Sequence, residues 1–89
     1  MGYQIEFSGV SRNDLVQVYA YYDGTSYLTD FRIQLNKLVD RLSVFPRSGQ
    51  EYLHYRKAII LKRYLVLYQI KKRTVLIARI FDGRTDYRV

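Results

Sequence analysis

The chain predicts an α+β domain of order β-α-α-β-β-β, a helical hairpin packed on one face of a small antiparallel sheet. Three observations lead there. The first residues alternate apolar and polar, two stretches between Ser11 and Pro46 repeat with helical spacing, and everything after Gly49 is rich in β-branched and aromatic residues separated by cationic joins.

Tyr3, Ile5 and Phe7 alternate with Gln4, Glu6 and Ser8, the mark of a strand with one buried face. Ser11-Arg12-Asn13-Asp14 then offers a capping box for a short helix. Leu15, Val18, Tyr19 and Tyr22 supply its apolar stripe, and Asp23-Gly24 ends it. Thr25 or Ser26 can cap a second, longer helix. Its stripe is Phe31, Leu35, Leu38, Leu42 and Phe45, with Arg32, Asn36, Lys37, Asp40 and Arg41 facing away. Pro46 closes that helix and Arg47-Ser48-Gly49 form a loop, so the two helices make an αα-hairpin. Three strands are expected beyond it, roughly Tyr52 to Leu61, Tyr64 to Lys71 and Thr74 to Phe81, with Lys62-Arg63 and Lys71-Lys72-Arg73 at the joins.

Eighty-nine residues form one domain, 1–89, and at this size folding hides only about 60–65% of the unfolded chain's surface. With no cysteine there is no disulfide framework, thiolate metal site or cysteine nucleophile. His54 is the only histidine and the acids are scattered singly, so no metal and no cofactor is expected. No apolar run approaches the ~20 residues of a membrane span, and the start MGYQIEFS lacks the basic and apolar regions of a signal peptide. A cytoplasmic protein without a membrane partner is the expectation.

Charge is distributed unevenly. From His54 onward there are ten Lys and Arg against two Asp, whereas the first 53 residues carry five against six acids, giving the net +7. A cationic sheet with one face left open by the helices suits an anionic partner, nucleic acid or an acidic protein segment. The candidate contacts are Arg56, Lys57, Lys62, Arg63, Arg79, Arg84 and Arg88. Tyr52, Tyr55 and Tyr87 are placed to join them, while Tyr19, Tyr22, Tyr64 and Tyr68 fall on core stripes. A solvated cationic surface is the plain alternative.

In order, Asn13-Asp14-Leu15, Tyr19, Phe31, Leu42, Pro46 and Gly49 lead to Arg56-Lys57. The stretches Tyr64-Leu65-Val66-Leu67-Tyr68-Gln69-Ile70 and Arg79-Ile80-Phe81-Asp82-Gly83-Arg84-Thr85-Asp86 follow. Across almost the whole chain this resembles the RelE/ParE toxin superfamily of type II toxin–antitoxin modules. The resemblance implies a growth-inhibiting toxin of a plasmid-stabilising module. A cognate antitoxin would neutralise it in a hetero-oligomer, over the sheet and helices. Two activities follow from the superfamily. ParE-like members poison DNA gyrase, and RelE-like members cut messenger RNA on the ribosome without a metal.

RelE-like cleavage needs groups that deprotonate the 2′-hydroxyl, neutralise the phosphorane and protonate the leaving oxygen, tasks that Lys, Arg and Tyr carry in the family. Here Arg56, Lys57, Arg84 and Tyr87 would be the catalytic set. Yet Leu65 stands where an arginine commonly follows the strand-opening aromatic, and Ala58 stands at the second of two paired basic positions. The ending is closer to the ParE-like pattern, with Asp82 replacing the usual histidine. The ParE-like reading is therefore preferred, with Arg56, Lys62, Arg63, Arg79, Arg84, Tyr87 and Arg88 as target- or antitoxin-binding residues. The alternatives are the RelE-like endoribonuclease and a non-toxic RNA-binding module.

Overall fold

The computed structural model describes residues 2–84. The elements are β1 (Gln4–Phe7), α1 (Gly9–Tyr21), α2 (Ser26–Val44), a 3₁₀ turn (Pro46–Ser48), β2 (Gln50–Tyr52), β3 (Tyr55–Ile60), β4 (Tyr64–Lys71) and β5 (Thr74–Asp82). The five strands form one sheet in the order β1-β5-β4-β3-β2. The α+β class and the helical layer on the sheet are as expected. Three details differ, each for a local reason.

The first is the start of α1. Ser8, not the Ser11–Asp14 stretch, is the N-cap. Its Oγ accepts the Ser11 N–H at 3.0 Å, and the buried Ser11 hydroxyl donates back to the Ser8 carbonyl at 2.9 Å. The Asp14 carboxylate is thereby free to reach outside its own helix. The second concerns the end of α2. Thr25 caps the helix as expected, and Phe31, Leu35, Leu38 and Leu42 are buried. Phe45, however, leaves helical geometry (φ −124°, ψ 71°) and is 65% exposed, and Pro46 is buried in its place. The third is the strand expected over Tyr52 to Leu61. It is two strands, folded back at Leu53-His54 so that Tyr52 pairs with Tyr55. Leu53 takes the left-handed φ of +55° that such a tight turn demands.

The sheet is antiparallel from β2 to β5, and β1 adds to β5 in parallel, with Gln4 opposite Thr74 and Phe7 opposite Ile77. Beyond Phe7 the edge of β5 is no longer met by a strand. The register between β4 and β5 slips at this point: Tyr68 faces Ile77 but Leu67 faces Arg79, leaving Ala78 as an extra residue. Ser8 accommodates the bulge, its hydroxyl donating to the Ala78 carbonyl at 2.9 Å. One step further, the Asp14 carboxylate accepts the Ile80 N–H at 2.8 Å. A strand edge that would otherwise leave its donors unpaired is thus completed by helix α1.

The core lies between the helices and one sheet face. Val18 of α1 and the four α2 residues pack on Ala58, Ile60, Tyr64, Val66, Tyr68, Val75, Ile77 and Ile80. The opposite face is not bare. Leu65 and Leu67 are buried there, Leu65 between Ile59 and Phe81 and Leu67 between Lys57 and Arg79 in register. Ile59 itself is 57% exposed, so this open face is an apolar floor rimmed by cations. No helix among the described residues is long and apolar enough to cross a membrane.

Candidate functional site

Side chains alternate across a strand, and that alternation decides what the cationic residues can do together. Arg56 and Lys57 are adjacent on β3 and so face opposite sides. Arg56 is in register with the core residue Tyr68, whereas Lys57 is in register with Leu67 on the open face. The Arg56 guanidinium donates to the carbonyl of Gly49 at 2.8 Å and of Arg47 at 3.3 Å, and lies 3.5 Å from Glu51. The Tyr68 hydroxyl supports the same loop, donating to the Pro46 carbonyl at 2.7 Å and accepting the Gly49 N–H at 2.9 Å. Gly49 is required there, since a Cβ would stand 2.4 Å from the Tyr68 oxygen. Arg56 thus works as a clamp on the chain between α2 and β2. Lys57 lies over the Tyr52 ring, 5.0 Å from its centroid.

Arg63 and Arg84 meet at the other end of the sheet. Arg63 Nε donates to Asp82 Oδ2 at 2.9 Å. The other carboxylate oxygen, Oδ1, accepts the Arg84 backbone N–H at 2.9 Å and lies 3.6 Å from Arg84 Nε. Behind this pair stand three tyrosines, with the Arg63 guanidinium 5.7 Å from the Tyr22 ring, 5.9 Å from Tyr27 and 5.6 Å from Tyr64. Burial alone would raise the Asp82 carboxyl. The Arg84 N–H, the Arg63 hydrogen bond and both guanidinium charges outweigh it and hold the group below the usual carboxylate range. Arg63 is held correspondingly more basic, first by its hydrogen bond to Asp82. The Tyr64 hydroxyl is pushed well above the ordinary phenol range by burial and by its 3.4 Å contact with the Tyr22 hydroxyl. It is a proton-bearing group at neutral pH and no base.

Arg79 pairs with Asp14 at 3.0 Å and lies over the Phe81 ring at 5.6 Å, and Lys62 is exposed in the β3–β4 turn. The structure therefore brings Arg63 and Arg84 together, and sets Lys57 and Arg79 on either side of Leu67. It does not bring Arg56 to Arg84. Tyr68, opposite Arg56, and Tyr64, opposite Asp82, are four residues apart on β4, about 13 Å along the strand. Tyr87 and Arg88 lie outside the described residues. Ala58 is buried towards the helices and Leu65 towards the open face. Tyr52 and Tyr55, expected to be available, are half-buried.

Sequence reasoning did not find Asp14 or the Tyr22–Tyr27–Tyr64 wall around Arg63. Asp14 lies 65 residues from Arg79, a separation at which nothing local reports a pairing. Tyr64 and Tyr22 were legible as core positions, but not the polar contact between their hydroxyls.

A mixed sheet backed by two helices, with a cationic open face, defines the architecture of a small RelE/ParE-type toxin. The comparisons agree. Residues 5–87 match the family described as the ParE toxin of the type II toxin–antitoxin system parDE. The chain belongs to that family, within the RelE/ParE toxin superfamily.

Among solved structures it is similar to the chromosomal ParDE TA system from P. aeruginosa. The TM-score is 0.72 at 16% identity, covering 90% of this chain and 95% of that one. YafQ from E. coli strain BL21(DE3) gives 0.63 at 14% identity, over 92% and 94% of the two chains. The conserved hypothetical protein HP0894 from Helicobacter pylori gives 0.64 at 13%, over 96% and 99%. At such identities the likeness is one of fold. No curated protein sequence matches significantly.

Proposed function

We propose that this toxin acts by binding a protein target, DNA gyrase, and is neutralised by a cognate antitoxin that covers its cationic sheet. The observation that carries this reading is the dispersal of the cations. Arg56 and Lys57 face opposite sides of β3, and Arg56 is tied to loop carbonyls. Arg63 and Arg84 are tied to Asp82 at the far end, and Arg79 to Asp14. Phosphoryl transfer without a metal needs several cations or acids converging on one reacting phosphate, because each positioned group is worth about 10²–10³ in rate. A face with an apolar floor at Ile59, Leu65, Leu67 and Phe81, rimmed by Lys57 and Arg79, suits a protein segment better. As a cationic toxin of this family it would act in the cytoplasm.

The deciding experiment measures gyrase supercoiling and ribosome-dependent mRNA cleavage side by side with the purified toxin. Supercoiling should be inhibited and relieved by antitoxin, with mRNA left intact. Cleavage products that disappear in Arg84→Ala or Tyr87→Phe would establish the RNA-cleaving activity instead.

A further inference from the structure

The Asp82 carboxylate sits where an external anion would be bound. Both of its oxygens are engaged by cationic partners. Oδ2 takes Arg63 Nε at 2.9 Å, and Oδ1 takes the Arg84 N–H at 2.9 Å with Arg84 Nε at 3.6 Å. The arrangement is also incomplete and accessible. The Arg84 side chain is 68% exposed and its guanidinium contact is long, while Asp82 and Arg63 keep 21% and 26% of their side-chain surface. On the inner side the hydroxyl of Tyr27 is buried, with no hydrogen-bond partner among the described residues. Tyr27 lies in this cluster, its ring 4.4 Å from Tyr22 and 5.9 Å from the Arg63 guanidinium. A buried donor without an acceptor carries a desolvation penalty that an additional oxygen would relieve.

We propose that Arg63, Arg84 and Tyr27 form a carboxylate-binding site on the toxin, closed in the free chain by Asp82 and opened when an acidic side chain of a protein partner takes its place. The exchange is nearly balanced in charge. One carboxylate leaves for water as another arrives, so the two arginines are never left buried and unpaired, the outcome that makes breaking an ion pair expensive. The site is already shaped for a planar two-oxygen group, since Asp82 fills it with Oδ2 on Arg63 and Oδ1 on Arg84, which favours a carboxylate over a tetrahedral phosphate. Asp82 then sets specificity. It holds the site closed against weak anions and yields to one delivered by an interface. The reading of a protein-binding toxin supplies only the source of the carboxylate, and the site itself can be tested without gyrase or antitoxin.

The test follows the Nε–H resonances of Arg63 and Arg84 while acetate, and separately inorganic phosphate, is added to the intact chain. Wild type is compared with Asp82→Asn and Asp82→Ser, each checked for folding by its thermal transition. Both variants should bind acetate at least about tenfold more tightly than wild type. The gain should be confined to Arg63 and Arg84 and absent at Arg47. It should vanish when Arg63→Gln is added, and Tyr27→Phe should reduce it. Wild type provides a reading that needs no variant: the Asp82 carboxyl carbon should shift as acetate displaces it. Equal acetate affinity in wild type and folded variants, with a motionless Asp82 carbon, overturns the proposal. A gain for phosphate with none for acetate overturns the carboxylate assignment.

Discussion

Asp14 and Asp82 are acids on a strongly cationic protein, and each holds a strand end rather than balancing bulk charge. Asp14 accepts the Ile80 N–H as well as pairing with Arg79, so its removal leaves a backbone donor beside the core unsatisfied. Asp14→Ala should cost about 1–3 kcal/mol in urea unfolding, while Asp14→Asn, which keeps an acceptor, should recover most of it. Equal losses in both would place the contribution in the Arg79 charge pair instead. For Asp82 the sign follows from its lowered pKa. The folded state holds the proton more weakly than the unfolded chain does, so its stabilisation is complete above the unfolded value of about 4 and fades as pH falls through the lower folded value. The gap in urea midpoint between wild type and Asp82→Asn should therefore be constant above about pH 5 and close at more acidic pH. A gap that widened on acidification would contradict the geometry.

Among the elements, α2 was the most legible in advance. Phe31, Leu35, Leu38 and Leu42 recur at 4, 3 and 4, and a stripe so regular has one face to bury. Leu38, 4% exposed, should cost about 2–4 kcal/mol on truncation to Ala, read from the denaturant midpoint. A loss below about 1 kcal/mol would mean that Leu38 does not face the core. Phe45 continued the spacing yet lies outside, because periodicity does not register that the backbone leaves the helix at Phe45, just after Val44. The hairpin between β2 and β3 was equally hidden. Its turn uses Leu53 at positive φ where glycine or asparagine is the usual signal, and Lys62 and Lys72 do the same in the next two turns. In the candidate site, the residue types and their strand positions were readable. Their partners were not, since the Asp14–Arg79 and Arg63–Asp82 pairs join positions 65 and 19 residues apart.

For the whole molecule, the uneven charge has a kinetic consequence. Cations rim an open sheet face on a chain of net +7, so an acidic antitoxin should be steered to it from a distance. Its association rate should fall steeply between low and physiological salt while its dissociation rate changes little. A salt-independent association rate would remove steering from the account.

The parallel pairing of β1 with β5 bears on when this toxin can exist at all. The two strands come from opposite ends of the chain, and the Ser8–Ala78 hydrogen bond beside them spans 70 residues. At a synthesis rate of about 5–20 residues per second, β1 waits about 4–14 s for the strand that completes it. Until then Ser8 has no Ala78 carbonyl to bind, and Asp14 has neither Arg79 nor the Ile80 N–H to hold. The sheet therefore closes only when the last strand of the chain has been made. A fragment ending at residue 72 should accordingly show no cooperative thermal transition and no toxicity, although it contains both helices and all of the core residues of α2 and β4.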